Sequence, residues 1–474
     1  GLAGPYSCTV DVVSGSVYQC HKEITVTMNV LAGPQDVYWD GGGDGSTWED
    51  PSNWDPDGVP GANDRARIAL NGDYTISYNS ISDLVYGLIH GAPSGVQILD
   101  IQTGTLGVTD GAVNTQTIVV RDAAALDASA GGDTALVVNE AIGTFVLDNG
   151  DVNGTGLFVN RGLVRKTGDF VSHITMDFLN ELPGRSELPL VSVEAGTLSF
   201  EGDTELNGRL VVNSGGTAIT SGHLRVISDE VIVDAGGEFV VTDTVLVTST
   251  GALDVYGDLT IEAGGVLLNS GDVSINEGGA LTIDGEFSNE ADGQLTSGGL
   301  VYVPTGGLLV NEGYFDLDEN AILTGGGTVD NSLGTTAIKG LVAPGDAEGT
   351  LTFLGDFIQS PTSEISLEIG GYGQGVTYDH LNVSGLATLD GAVALEFTSG
   401  FEPVLDDSFH VITHAGAGSG GTEFYCYSGL VVSDSLYMEP LQLTGEFVLW
   451  AVSGVTGNAE PVAIDDEASV TGYQ

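Results

Sequence analysis

Gly257, Gly271, Gly285, Gly299, Gly313 and Gly327 follow one another at intervals of 14 residues without a slip. Each interval holds two short runs of alternating apolar residues closed by glycine-rich corners, as in GDLTIEAGGVLLNS at 257–270. No other feature constrains the chain as much. A winding that cannot bury its apolar face alone must bury it against the windings before and after it, which makes a solenoid. The alternation has the strand period of two. The runs are too short for helices and rich in Val, Ile, Thr and Phe.

The expected inward positions are Val231 and Val233, Phe239 and Val241, Val245 and Val247, Leu253 and Val255, Leu259 and Ile261, Val273 and Ile275, and Leu281 and Ile283. Corners such as Ala235-Gly236-Gly237, Ala263-Gly264-Gly265 and Glu277-Gly278-Gly279 supply residues that tolerate positive φ. Gly208 and Gly222 keep the interval, and a half-step of seven leads into Asp229, Asp243 and Gly257. Sides of about seven residues fit a flattened two-sided coil of 14 or a three-sided coil of about 21. The half-step favours three sides. Roughly 20 coils at about 4.8 Å would then give a rod on the order of 100 Å.

A chain of 474 residues is long for one compact domain but natural for a solenoid growing along an axis. Its 72 Gly and 14 Pro show no Gly-X-Y triplet, which sets collagen aside, and 41 % hydrophobic residues can fill a continuous core. Sixty-six acidic residues against 11 Lys and Arg leave a net charge of −55. Nucleic acid is excluded as a partner by like charge, and anionic membrane is disfavoured. Divalent cations or high salt would screen such a surface and let neighbouring rods approach. No apolar run is long enough to span a membrane. A start at Gly1 reads as a processed form or a fragment. Few Lys, abundant Asp and Gly, and three Cys suit an exported bacterial or archaeal protein.

The ends differ from the middle. In SCTVDVVSGSVYQC (7–20) a hairpin turning at Ser14-Gly15-Ser16 would set Cys8 opposite Cys20, and cross-strand cysteines in an exported chain suggest a disulfide. Ile24, Val26, Met28 and Val30 alternate with polar residues and predict a third strand, so residues 1–35 read as a small antiparallel β-sheet with one face needing cover. Residues 36–455 are the solenoid, and 456–474 a C-terminal extension strand.

The run Pro461-Val462-Ala463-Ile464-Asp465-Asp466 resembles the opening strand of bacterial cadherin-like or immunoglobulin-like modules. An incomplete sheet at one end and an orphan strand at the other suggest strand addition between copies, with Val462, Ile464 and Val470 on the donor strand. The rival reading makes both ends stubs of neighbouring domains in a longer polypeptide.

The segment from Trp39-Asp40-Gly41 through Asn53-Trp54, Pro60, Asp64 and Ile68 resembles the W-x-G…NW…P…D-x-h-x-I opening module of secreted bacterial β-helix surface proteins, which include autotransporter passengers and adhesins. Gly162-Leu163-Val164 through Asp177–Asn180 and Gly196-Thr197-Leu198, and Tyr378-Asp379-His380-Leu381 through Gly385, are similar to coils of such proteins. The resemblance implies a right-handed parallel β-helix at the cell surface, with an adhesive or structural role. The tryptophans would cap the first coil or, alternatively, form a carbohydrate-stacking platform.

Calcium is the cofactor expected where carboxylates crowd a loop, here Asp40, Asp44, Asp50, Asp55 and Asp57, with Asp148, Asn149 and Asp151 as a second group. Neither matches EF-hand or nonapeptide spacing. A lyase or hydrolase on this fold needs carboxylates and a basic residue in one groove. The basic candidates are Arg161, Arg165, Lys166 and His173, read as a solvated face pairing with local Asp. His410 and His414 would share a strand face with Ile412 between them. Cys426 is an odd thiol, buried in its strand or paired between chains. No nucleophile elbow, phosphate loop or Cys-x-x-Cys occurs.

These features predict a non-catalytic, all-β structural subunit of an extracellular filament, surface layer or adhesive fibre that associates with itself. Polysaccharide or a cell surface is the further partner. A carbohydrate-active or carbohydrate-binding β-helix protein is the alternative from another class, and an adhesin segment of a giant surface protein is the third.

Overall fold

A computed structural model describes residues 5–13, 21–29, 33–181 and 189–454. From Gln35 on, short and mostly parallel strands wind in a three-sided coil, pairing two elements on in the first coils and three elements on from Thr117 until the chain reaches its C-terminal meander. One face is a 13-stranded sheet running from Tyr74–Tyr78 to Thr335–Ile338. A three-stranded sheet from Phe357–Ile358 to Gly416–Thr422 lies beyond it, joined through the bridge between Ile338 and Gln359. The solenoid is a parallel β-helix. Its coils are fewer than the 20 expected because several carry long corners: Thr350, for instance, pairs with His380, 30 residues on.

All 14 expected inward residues are between 0 and 1 % exposed. They belong to one apolar core that runs from the first tryptophans to Ala451. Inward and outward residues alternate along most of these strands, as the two-residue period requires.

Two kinds of corner alternate. The corner at 234–237 separates Asp229–Val233 from Glu238–Val241, and the shorter one at 242–243 leads into Thr244–Val247. Three sides make an odd number of corners, so each edge of the prism meets long and short corners in turn. Val231 therefore pairs with Leu253, 22 residues on, and Leu253 with Val273, only 20 further. Three 14-residue units make two coils, which is how a period of 14 coexists with a coil of about 21.

The corner glycines divide the work. Gly236, Gly264 and Gly278 have φ of 81°, 94° and 84° and supply the left-handed turn expected of the corners. The 14-residue ladder has a different cause. A Cβ on Gly271 would lie 2.3 Å from the carbonyl oxygens of both Gly251 and Thr248 in the coil before, and Gly257, Gly285, Gly299 and Gly313 meet the same obstacle. These positions exclude a side chain because a neighbouring coil's corner sits where it would go.

The ends correct two expectations. Among the described residues, Pro5–Val13 and His21–Asn29 form an antiparallel ribbon of two strands where three were expected. Its register sets Cys8 opposite Val26, not Cys20, because the second strand takes up residues expected in a third. Cys20 lies outside the described residues, as do Val462, Ile464 and Val470 of the expected extension strand. At the far end, Ser408–Thr413 pairs antiparallel with Glu446–Ser453, which pairs with Leu436–Leu443 and then Val431–Ser433. This meander reverses chain direction on one face and covers the edge that another coil would otherwise occupy.

Candidate functional site

The opening module is an aromatic plug. Trp39, Trp48 and Trp54 are all buried, with Trp48 and Trp54 ring centroids 4.8 Å apart, Trp39 and Trp54 5.2 Å, and Trp48 and Tyr78 5.8 Å, each pair edge to face. Trp54 Nε1 donates to the Trp48 carbonyl at 2.8 Å. These rings close the open end of the core and offer no free face for a sugar. Trp450 on the C-terminal meander is the partly exposed tryptophan, at 40 %.

A hydrogen-bonded loop holds the plug. Asn53, fully buried, accepts from Gly43 and Gly45 amides at 2.9 and 2.8 Å and donates to Asp44 Oδ1 and the Thr47 carbonyl at 2.8 and 2.9 Å. Asp44 also receives the amides of Ser46 and Thr47 and the Thr47 hydroxyl. The hydroxyl, the Asn53 amide and those backbone donors hold its carboxyl well below the ordinary range.

Asp50 accepts from Asp44 and Ser52 amides at 3.1 and 3.0 Å, and Asp40 from the Gly42 amide at 2.9 Å. Asp55 and Asp57 are exposed. The expected calcium group is thus not brought together: Asp40 and Asp44 serve the loop backbone, and no three His, Cys, Asp or Glu side chains converge to hold a metal ion among the described residues. In the second group, Asp148 pairs with Arg121 at 3.0 Å, Asp151 accepts the His173 amide and Asn149 the Phe170 amide.

The arginines are locked into ion pairs between coils, and His173 meets a carboxylate. Arg161 joins Glu140 at 3.1 Å to Glu181 at 2.9 Å, Arg165 binds Glu194 at 2.7 Å, and His173 Nδ1 lies 2.6 Å from Glu201. Lys166 departs from the solvated face expected of it. Alternation on Leu163–Thr167 turns it inward, where it is fully buried and donates to the carbonyls of Thr167, Gly168 at 2.9 Å and Ala195 at 3.3 Å. Burial pushes its ammonium down from the usual range.

The expected histidine pair also separates. A register shift between His410 and Ile412 breaks the alternation, so Ile412 faces inward while His410 pairs with Glu446 at 2.7 Å. His414 Nδ1 lies 2.9 Å from the Gly416 carbonyl. Cys426 is exposed, which overturns the buried reading and leaves the thiol accessible to another chain.

Two polar features escaped the sequence reading. Along one inward column, Asn114 donates to Asn139, Asn139 to Asn160 and Asn160 to Asn180, each at 2.8 Å. A second stack links Asn269, Asn289, Asn311 and Asn331 at 2.8, 2.8 and 2.7 Å. The signal was an Asn ending a β-run, as in LVVN, LFVN and EFSN. His90 heads the first stack, its Nδ1 2.8 Å from Asn114 Oδ1, and burial pulls its imidazole down to about 4.

Near the other end, Asp379 accepts the amides of Gly349 and Glu368 at 2.9 and 2.8 Å and ties the corner before Thr350 to the Glu364–Ile369 strand. Burial pushes it up to about 7 against the pull of those two amides, with Glu368 and Glu348 adding to the rise. It lines a hollow of about 100 Å³ with Asp346 and Glu368.

No family model matches the chain, and no curated protein does. Among solved structures, the crystal structure of a TibC-catalysed hyper-glycosylated TibA fragment is similar over 77 % of this chain and 99 % of that one. The identity is 16 % and the TM-score 0.24, a likeness too loose to carry an argument. No described helix is long and apolar enough to cross a membrane.

Proposed function

We propose that the chain is a structural subunit of an extracellular filament, surface layer or adhesive fibre that associates with copies of itself. The observation that carries this reading is the architecture: one unbroken core under flat strand faces, with a two-stranded ribbon at the N-terminal end. An isolated two-stranded ribbon is marginal in water and gains stability from added strands. In its register, Tyr6, Cys8 and Val10 fall opposite Met28, Val26 and Ile24, so one side of the ribbon is apolar in sequence. The run bearing Val462, Ile464 and Val470 has the alternation of a donor strand, and strand addition from one copy to the next would complete the sheet.

The basic groups a polysaccharide lyase would need are engaged by carboxylates at Arg161 and Arg165, which favours a structural role over a catalytic one. Deleting residues 457–474 and examining the protein by electron microscopy tests the proposal. Loss of filaments is expected, and unchanged filaments would overturn strand addition. Polysaccharide cleavage that disappears in Arg161→Ala or Arg165→Ala would overturn the structural reading itself.

A further inference from the structure

The two asparagine stacks occupy one continuous inward column, and three apolar residues interrupt it. Asn180 is followed in register by Leu206, Leu206 by Val226, Val226 by Val247 and Val247 by Asn269. The aromatic stack from Phe145 through Phe158 and Phe178 to Phe200 stops just before the same interruption. On the outside of these coils Glu205 pairs with Arg225 at 2.9 Å with both side chains about half exposed, a contact that adds little to cohesion.

We propose that the solenoid consists of two cooperative units, one stacked on Asn114–Asn180 and one on Asn269–Asn331, meeting at an apolar joint formed by Leu206, Val226 and Val247. The stability of a solenoid is a sum of repeat terms and nearest-neighbour interface terms. Inside each stack, separating two coils strands buried amides without partners, and hydrogen bonds in a chain reinforce one another. Asn139, for example, would lose its bond to Asn160 and its bond to the Leu163 carbonyl together. At the joint, separation exposes apolar side chains but leaves no side-chain donor or acceptor in that column unpaired. Opening therefore proceeds one unit at a time, and a rod under tension lengthens in two steps. The inference uses the core alone and stands whether or not the chain forms filaments.

Hydrogen exchange with mass spectrometry across a denaturant series, on the full chain, tests it. Strands 136–180 and 266–311 are expected to lose protection at two separate midpoints. Asn139→Val and Asn289→Val keep the shape that the column already accepts at Val226 and Val247. The first should speed opening about tenfold in 136–180 and leave 266–311 unchanged, and the second the reverse. One midpoint shared by both segments, or either variant accelerating both equally, overturns the proposal. Should a variant fail to fold, the midpoints of the unaltered chain decide.

Discussion

Up to residue 225 the chain carries ten of its 11 Lys and Arg residues against 28 acidic ones; the 249 residues that follow carry Lys339 alone against 38. The first stretch uses its cations as ties between coils, with Arg121 reaching Asp100 at 2.6 Å on one side and Asp148 at 3.0 Å on the other. The second sets carboxylates directly across from each other, Glu238 opposite Asp258 and Glu368 opposite Glu396. Asp254, raised by burial with Glu230 and Asp272 contributing, belongs to the same pattern. One backbone and one core thus tolerate two opposite treatments of surface charge. Folding is fixed by the inward residues, and the outward ones decide how much each half depends on the solution around it.

The largest effect is expected at the first end. Trp54→Ala removes the centre of the aromatic plug and should cost about 3–5 kcal/mol. Thermal melting read by hydrogen exchange should show the loss concentrated in coils before residue 180. A uniform loss would mean that the halves are not separable.

Acid should then drive the two ends in opposite directions. His90 is held to about 4 in the fold against 6.5 for a free ring, so the fold favours the neutral imidazole. Its contribution is complete above pH 6.5 and is lost as the pH falls towards 4, up to about 3 kcal/mol. Asp379 is raised from 3.8 to about 7, so the fold favours the protonated acid and gains stability as the pH falls from 7 towards 4. Exchange rates at 88–114 and 364–383, followed from neutral to acid, should diverge. His90→Asn should abolish the first trend and Asp379→Asn the second.

Two glycines separate the two kinds of corner position. Gly271→Ala forces a Cβ against two carbonyl oxygens and should cost about 2–3 kcal/mol, whereas Gly264→Ala enters open space with only its φ to strain, about 1 kcal/mol. Equal losses in chemical denaturation would sink the distinction. The smallest expected effect is that of salt. Raising sodium chloride to about 1 M should strengthen protection in 229–330 by a few-fold and alter 97–181 less, because fixed counter-ions are sparse in the former, where Arg209 pairs with Glu230 and Lys339 with Asp316.

The strands of the regular region were legible because each side repeats locally: Leu253 and Val255 declare their direction within five residues. The asparagine stacks were not, since Asn114 meets Asn139 across 25 residues and Asn160 meets Asn180 across 20, and uneven corners hide that relation. Lys166 was misplaced because its charge outweighed its position in the alternation. The carboxylates around Asp44 read in sequence as ligands for a cation, whereas in the fold Asp44 receives two backbone amides and the Asn53 side-chain amide two to nine residues away, a network that composition does not carry. The meander at 431–453 was missed because its strands alternate as the coils do, and only pairing direction separates them.

The odd number of sides has a consequence for growth of the gene. A duplicated 14-residue unit adds two sides of a three-sided coil, so everything downstream would turn to a different azimuth and the meander would face another way. Three units together add two whole turns, about 10 Å of length, and restore the original bearing. A lineage that must keep its two tips aligned can lengthen the shaft only in steps of three.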